Sequence, residues 1–90
     1  MKGIRFIDTH GTIRYTDTGD INGKYHREDG PAAEYPNGDK YWYLNGKRHR
    51  EDGPAIEYTN RYKAWYLNDI KIDVKDNDEF LRIVKLKAFL

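Results

Sequence analysis

The chain has 90 residues, 34% of them charged and 14% aromatic, with a formal net charge of +1 and no cysteine. That length makes one small domain, the missing cysteines exclude disulfides and thiolate metal sites, and the balanced charge excludes a global field for nucleic acid or anionic lipid. The aromatic content separates the chain from disordered sequences and predicts a thin, aromatic-rich core, since each ring can bury roughly 150–250 Å². No segment approaches the ~18 apolar residues that span a bilayer. The opening "MKGIRFIDTHG" has no apolar signal-peptide core. A cytoplasmic protein without a membrane contact is expected.

Residues 1–21 read as a degenerate hairpin unit, with Thr9-His10-Gly11 at its turn and a few extra residues before Asn22. Two full repeats follow, 22–44 and 45–67. Aligned, they read "NGKYHREDGPAAEYPNGDKYWYL" over "NGKRHREDGPAIEYTNRYKAWYL", a period of 23 with 17 identical columns. Each predicts a β-hairpin: "AAEY" and the β-rich "KYWYL" flank "PNGD", and Asn-Gly is the strongest short hairpin signal. In the second copy Arg61 replaces the glycine, leaving Asn60 to take a positive φ. Trp42 and Leu44, like Trp65 and Leu67, fall on one strand face and Tyr43 and Tyr66 on the other. Both faces are therefore expected to be at least partly covered.

A partial repeat occupies 68–75, and from Asp76 the period changes. "DNDEFLRIVKLKAFL" predicts a helix over 76–90, with Asp76 as N-cap and Glu79 as its capping-box partner. Phe80, Leu81, Ile83, Val84, Ala88 and Leu90 form its apolar face, with Lys87 snorkelling from within it. An open array needs such a cap over its last hydrophobic surface. The fold class is thus mainly β: about three tandem antiparallel hairpins closed by one C-terminal α-helix.

The segment "HREDGPA" occurs unchanged at 26–32 and 49–55. Mechanically it reads as the bend from one hairpin to the next. Gly30 and Gly53 would supply a positive φ, Pro31 and Pro54 would bar a helix and open a strand, and Asp29 and Asp52 would close Asx-type turns. Two histidines and a carboxylate could in principle hold a metal. Duplication of every element argues instead for a structural role, because an active site needs different groups converging at one place. We expect His26 and His49 to bond the bend backbone or cap an aromatic ring, with no metal, cofactor or catalytic residue. "GKRHR" (46–50) beside tyrosine and tryptophan has the look of a nucleic-acid surface, but Glu51 and Asp52 neutralise it at once.

The stretch "NGKRHREDGPAIEY", with "YWYL" before the next asparagine, resembles the MORN repeat. That family has the same 23-residue period and a Gly-x-x-His segment after an aromatic strand. The likeness covers about 22–71 and, more weakly, 4–21. Here the family's His-Gly-x-Gly becomes His-Arg-Glu-Asp-Gly-Pro, a divergent type similar to small bacterial and phage proteins. The resemblance implies a twisted run of hairpins that binds or scaffolds, and no enzyme activity. A protein–protein interaction module is expected, of the phage type that inhibits or modulates a host protein complex. The competing reading is a self-assembling module that forms a homodimer. Contact surfaces are expected at Tyr15, Tyr41, Tyr62, Arg48 and Arg61, which fall in the degenerate unit or in columns that differ between copies; tyrosine buries area at low entropic cost.

Overall fold

The computed structural model describes residues 2–87. Nine short strands precede one helix: β1 (Ile4–Ile7), β2 (Ile13–Thr16), β3 (Ala33–Glu34), β4 (Lys40–Tyr41), β5 (Tyr43–Leu44), β6 (Lys47–Arg48), β7 (Ile56–Glu57), β8 (Lys63–Leu67), β9 (Ile70–Ile72) and α1 (Asn77–Lys87). Seven strands form one sheet in the order β1-β2-β3-β4-β7-β8-β9, and β5-β6 form a second. Every pairing is antiparallel. The expected architecture, tandem hairpins with a C-terminal helix, is the observed one. No helix among the described residues is long and apolar enough to cross a membrane.

Three hairpins, β1-β2, β3-β4 and β7-β8, lie side by side in the large sheet, and their register explains the sequence of the two copies. One cross-strand row runs Glu34, Lys40, Glu57, Lys63, so every neighbour in it carries the opposite charge. The next row runs Arg14, Ala33, Tyr41, Ile56, Ala64. Ala33 faces Tyr41 in the first hairpin and Ile56 faces Ala64 in the second. Small opposes large each time, and the two sequence differences compensate in volume.

The hairpin turns share one geometry. Gly38 (φ 99°), Gly11 (φ 86°) and Arg61 (φ 73°) occupy the same left-handed position. Their N–H groups donate to the carbonyls of Tyr35, Asp8 and Tyr58. Arg61, and not Asn60, therefore takes the positive φ; the Asn60 side chain instead accepts the Tyr62 N–H at 3.0 Å. The second Asn-Gly of the repeat, Asn45-Gly46 (φ 52° and 79°), closes β5-β6 as a two-residue turn, and Asn68-Asp69 (φ 49° and 70°) closes β8-β9 alike. Two successive positive φ values are the type I′ pattern that matches strand twist. "KYWYL" stays continuous as β8, whereas in the first copy it breaks at Trp42 between β4 and β5. The degenerate unit replaces this small turn by a loop at 17–24, tied down by the buried Thr16 hydroxyl, which donates to the Asp20 carbonyl and accepts the Gly19 N–H.

The core is thinner in aromatics than expected. Ala32, Ala33, Ala55 and Ala64 are buried, and the fully enclosed ring is Phe80 of α1. Phe80 packs with Trp65 (centroids 6.4 Å apart) and Leu67, flanked by Ile72, Val74 and Val84. Asp76 caps the helix by accepting the Glu79 N–H at 2.9 Å, and Asn77 accepts the Trp65 indole N–H at 3.0 Å. Leu81 and Leu86 are exposed, so the apolar face is narrower than the spacing suggested. Ala88, Leu90 and the Lys87 side chain lie outside the described residues.

A left-handed backbone costs a residue with a Cβ about 1 kcal/mol. Arg61→Gly is expected to raise stability by about that amount, read as a higher urea midpoint at unchanged slope.

Candidate functional site

The repeated "HREDGPA" is where one unit grips the next. In each copy the arginine guanidinium lies over an aromatic ring of the preceding unit: Arg27 over Tyr15 at 4.1 Å and Arg50 over Trp42 at 4.0 Å. The same guanidinium donates from Nε to the aspartate two residues on, Arg27 to Asp29 at 3.0 Å and Arg50 to Asp52 at 2.7 Å. Its Nη1 donates to the proline carbonyl four residues on, at 3.2 Å to Pro31 and 3.1 Å to Pro54. Planarity and a fork of donors let one side chain stack and bond at once, which lysine cannot do.

This geometry corrects two readings of the bend. Gly30 and Gly53 do not have positive φ; a Cβ there would meet the guanidinium carbon at 2.8 Å in Arg27 and 2.9 Å in Arg50. The glycines make room for the arginine. Asp29 and Asp52 close the bend through the arginine, so the expected Asx turn is replaced by an ion pair. The Asp29 carboxyl is held below the usual carboxylate range, first by its bond from Arg27, against an opposing effect of burial. Pro31 and Pro54 lie two residues before β3 and β7, and they contribute an accepting carbonyl.

The histidines act as couplings. His26 Nδ1 accepts the Asn45 N–H at 3.0 Å, and His49 Nδ1 accepts the Asn68 N–H at 2.9 Å. An accepting Nδ1 places the neutral-ring proton on Nε2, which faces Glu28 at 3.7 Å and Glu51 at 2.9 Å respectively. Each histidine thus holds the start of the following unit's small turn. Backbone bonds repeat with the same step: His26 and His49 N–H to the carbonyls of Tyr15 and Trp42, and Arg27 and Arg50 N–H to those of Tyr43 and Tyr66. A cleft of about 640 Å³ lies between the two bends, with Trp42 and Leu44 among its lining residues. Among the described residues no group of three His, Asp or Glu side chains is placed to hold a metal ion.

The other face of the sheet carries tyrosines in ring-to-ring contact. Tyr25, Tyr43, Tyr41, Tyr58 and Tyr62 follow one another with centroid separations of 5.0, 6.4, 5.9 and 5.7 Å, and Tyr35 joins at Tyr41, 5.2 Å away. The Tyr41 hydroxyl donates to that of Tyr58 over 3.4 Å, a long bond. That bond, with burial adding to it, raises the Tyr41 pKa, and burial raises that of Tyr43. Both phenols therefore stay neutral at physiological pH. Arg14, paired to Asp8 at 2.7 Å, lies over Tyr25 and Tyr35. Arg48 is bonded to Asp69 at 2.6 Å and lies 4.3 Å over Tyr66. Tyr62 is 53% exposed and the other rings of the series half-buried.

The structure gathers Tyr41 and Tyr62 on this face, with Arg48 directly across the β5-β6 pair from Tyr43. Arg61 sits at the turn beside Tyr62. Tyr15 stands apart, on the opposite face beneath Arg27. Tyr25, Tyr35, Tyr43 and Tyr58 were not anticipated. Strand alternation marks Tyr41 and Tyr43 as sharing a face, and the hairpin register would have added Tyr58 through Ile56. Comparison of the chain with protein-family models, curated proteins and solved structures gives no match.

Arg50→Ala is expected to cost about 2 kcal/mol through the lost stacking and charge-assisted bonds, and Arg50→Lys to recover less than half of it, both read by denaturant unfolding. Acid is a second probe. The Asp69 carboxyl is held low by the Arg48 guanidinium and then the Arg48 N–H. A carboxyl whose folded pKa lies below its unfolded value contributes in full above that unfolded value and loses its contribution as pH falls through the folded one. Asp69→Asn, which tolerates the left-handed turn, is expected to flatten the fall in thermal midpoint below about pH 4.

Proposed function

We propose that the chain is a MORN-like repeat protein and a non-enzymatic protein-interaction module, of the phage type that inhibits or modulates a host protein complex in the cytoplasm. The observation that carries the proposal is the unbroken tyrosine series on one sheet face. Rigid rings with a polar tip are the material of protein interfaces, and the register of the hairpins fixes their spacing. Arg14 and Arg48, which lie beside the series, already have carboxylate partners, so this surface offers chiefly stacking and hydrogen bonding. That favours a protein over a polyanion, whose recognition relies on unpaired cations. The opposite face is occupied in holding the units together.

The test is affinity capture from bacterial lysate, followed by titration of the purified partner. Tyr62→Ala is expected to weaken binding roughly tenfold or more, as truncation of an interface anchor does, while Leu86→Ala on the helix leaves it unchanged. Equal binding by wild type, Tyr62→Ala and Tyr58→Ala would remove the tyrosine face as the interface.

A further inference from the structure

We infer that the free edge of β1 is a self-association site, through which two copies pair antiparallel about a two-fold axis normal to the sheet. The inference is independent of any partner on the tyrosine face. It starts from hydrogen-bond phase. The Asp8 N–H donates to the Thr12 carbonyl, so counting back along the β1-β2 register Phe6 and Ile4 turn their backbone groups inward to β2. Arg5 and Ile7 then turn theirs outward. This phase agrees with β2, where the Tyr15 N–H, opposite Arg5, donates away from β1 to the Ala32 carbonyl. In the large sheet β1 is terminal, with β2 as its one strand neighbour.

A two-fold axis normal to the sheet keeps both copies the same way up, so opposed residues must share a face. Every register centred on a residue satisfies that and the phase, and two of them pair three residues of β1 with three of its mate. One centres on Arg5, placing Arg5 against its symmetry mate, which like-charge repulsion disfavours. The other centres on Phe6. There Phe6 meets Phe6 as a non-hydrogen-bonded pair, and Arg5 and Ile7 exchange backbone bonds across the axis. Avoiding that repulsion leaves the Phe6 register, in which the strand is complementary to itself, and a second copy is the occupant.

Apolar exposure supports the same occupant. Ile4 (51% exposed), Ile7 (56%) and Ile21 (64%) cluster at this edge, and Ile21 lines one shallow hollow with Phe6 and Ile7. Natural edges are blunted by charge, proline or cover. The opposite edge, β9, likewise holds one charge, Lys71, and exposes Ile70, but its Ile72 is covered by the cluster around Phe80 of α1. Within β1, Arg5 is the single charge and there is no proline. Pairing here would set the tyrosine faces of both copies on one side of a continuous sheet.

The absence of cysteine from the chain makes the register directly readable. Non-hydrogen-bonded partners lie about 4.5 Å apart between Cα atoms, within disulfide reach. Residue 7 and its mate would lie about 8 Å apart, beyond it. Under mild oxidation Phe6→Cys is expected to cross-link to a dimer and Ile7→Cys, which keeps the Arg5 charge, to stay monomeric. In sedimentation from about 10 µM to 1 mM, suited to a small interface, wild type is expected to pass from monomer to dimer. Arg5→Pro deletes only the outward-facing donor in each copy and should raise the dissociation constant roughly tenfold or more. A monomer across the whole range, preferential cross-linking of Ile7→Cys, growth beyond dimers as head-to-tail pairing with β9 would give, or a folded Arg5→Pro with the dissociation constant of wild type would each overturn the inference. If Arg5→Pro fails by circular dichroism to fold, the cysteine pair decides alone.

Discussion

One interaction sets the step of this protein: an arginine lying over an aromatic ring of the preceding unit while its fork holds the bend that follows. Arg27 does this to Tyr15, and Arg50 to Trp42. Because the ring belongs to one unit and the bend to the next, each stack fixes how far the chain advances and which way it turns. The neighbouring features follow from accommodating it. Glycine stands at positions 30 and 53 because a Cβ would collide with the guanidinium. Aspartate stands at 29 and 52 to orient it, and proline carbonyls receive its second donor. Arg50 also reaches Glu57 at 3.6 Å, linking the stack to the charge row of the sheet. Partial exposure weakens each ion pair alone, so the cation–π contact and the bond to the carbonyl are what make the assembly specific to arginine.

The same logic shows why the helix sits where it does. One period beyond Arg50 the position falls to Asp73, which cannot cover a ring. Trp65, the ring that would receive the next arginine, is buried instead by Phe80, and its indole N–H is satisfied by Asn77. The cap therefore substitutes for a missing repeat contact, covering apolar surface and pairing the one polar atom of the indole together. An unpaired buried N–H would cost about 1–3 kcal/mol, so Asn77 matters to the cap as much as the phenylalanine. Stability in this array is a sum over neighbouring units, and the last term of that sum comes from α1.

Much of the architecture was legible in the sequence, and the reasons differ element by element. The 23-residue period, the hairpins and the Asp76 cap rest on local signals that tertiary packing did not override. The glycines of the bend were legible as important but not for the right reason. A positive φ and a close approach leave the same letter, and only the position of Arg27 or Arg50 distinguishes them. Arg61 was read as a departure that Asn60 would absorb, yet the hydrogen bonds of the turn place the strain on Arg61 itself. Asn45-Gly46 opens the second repeat in the sequence, and in the fold it also closes a small hairpin, because two successive positive φ values need register to be seen. The aromatic count pointed to a core, whereas the enclosed positions are largely alanines and the tyrosines lie half-buried on a surface. Composition cannot say which rings meet each other; register can.

Register also changes what the differences between the two copies mean. Columns that differ are natural places to look for specificity, and Tyr41/Ala64 is one of them. Its variation is coupled to Ala33/Ile56, the residue directly opposite in each hairpin, so volume conservation accounts for the exchange without any partner. What the exchange leaves behind is an asymmetric surface. With Tyr41 present, shared-column rings such as Tyr43 and Tyr58 become links in one series; with Ala64 in its place, the series stops and Tyr66 lies under Arg48 instead. A packing constraint inside the sheet has thus decided where the aromatic surface begins and ends, and the shared tyrosines contribute to it as fully as the variable ones.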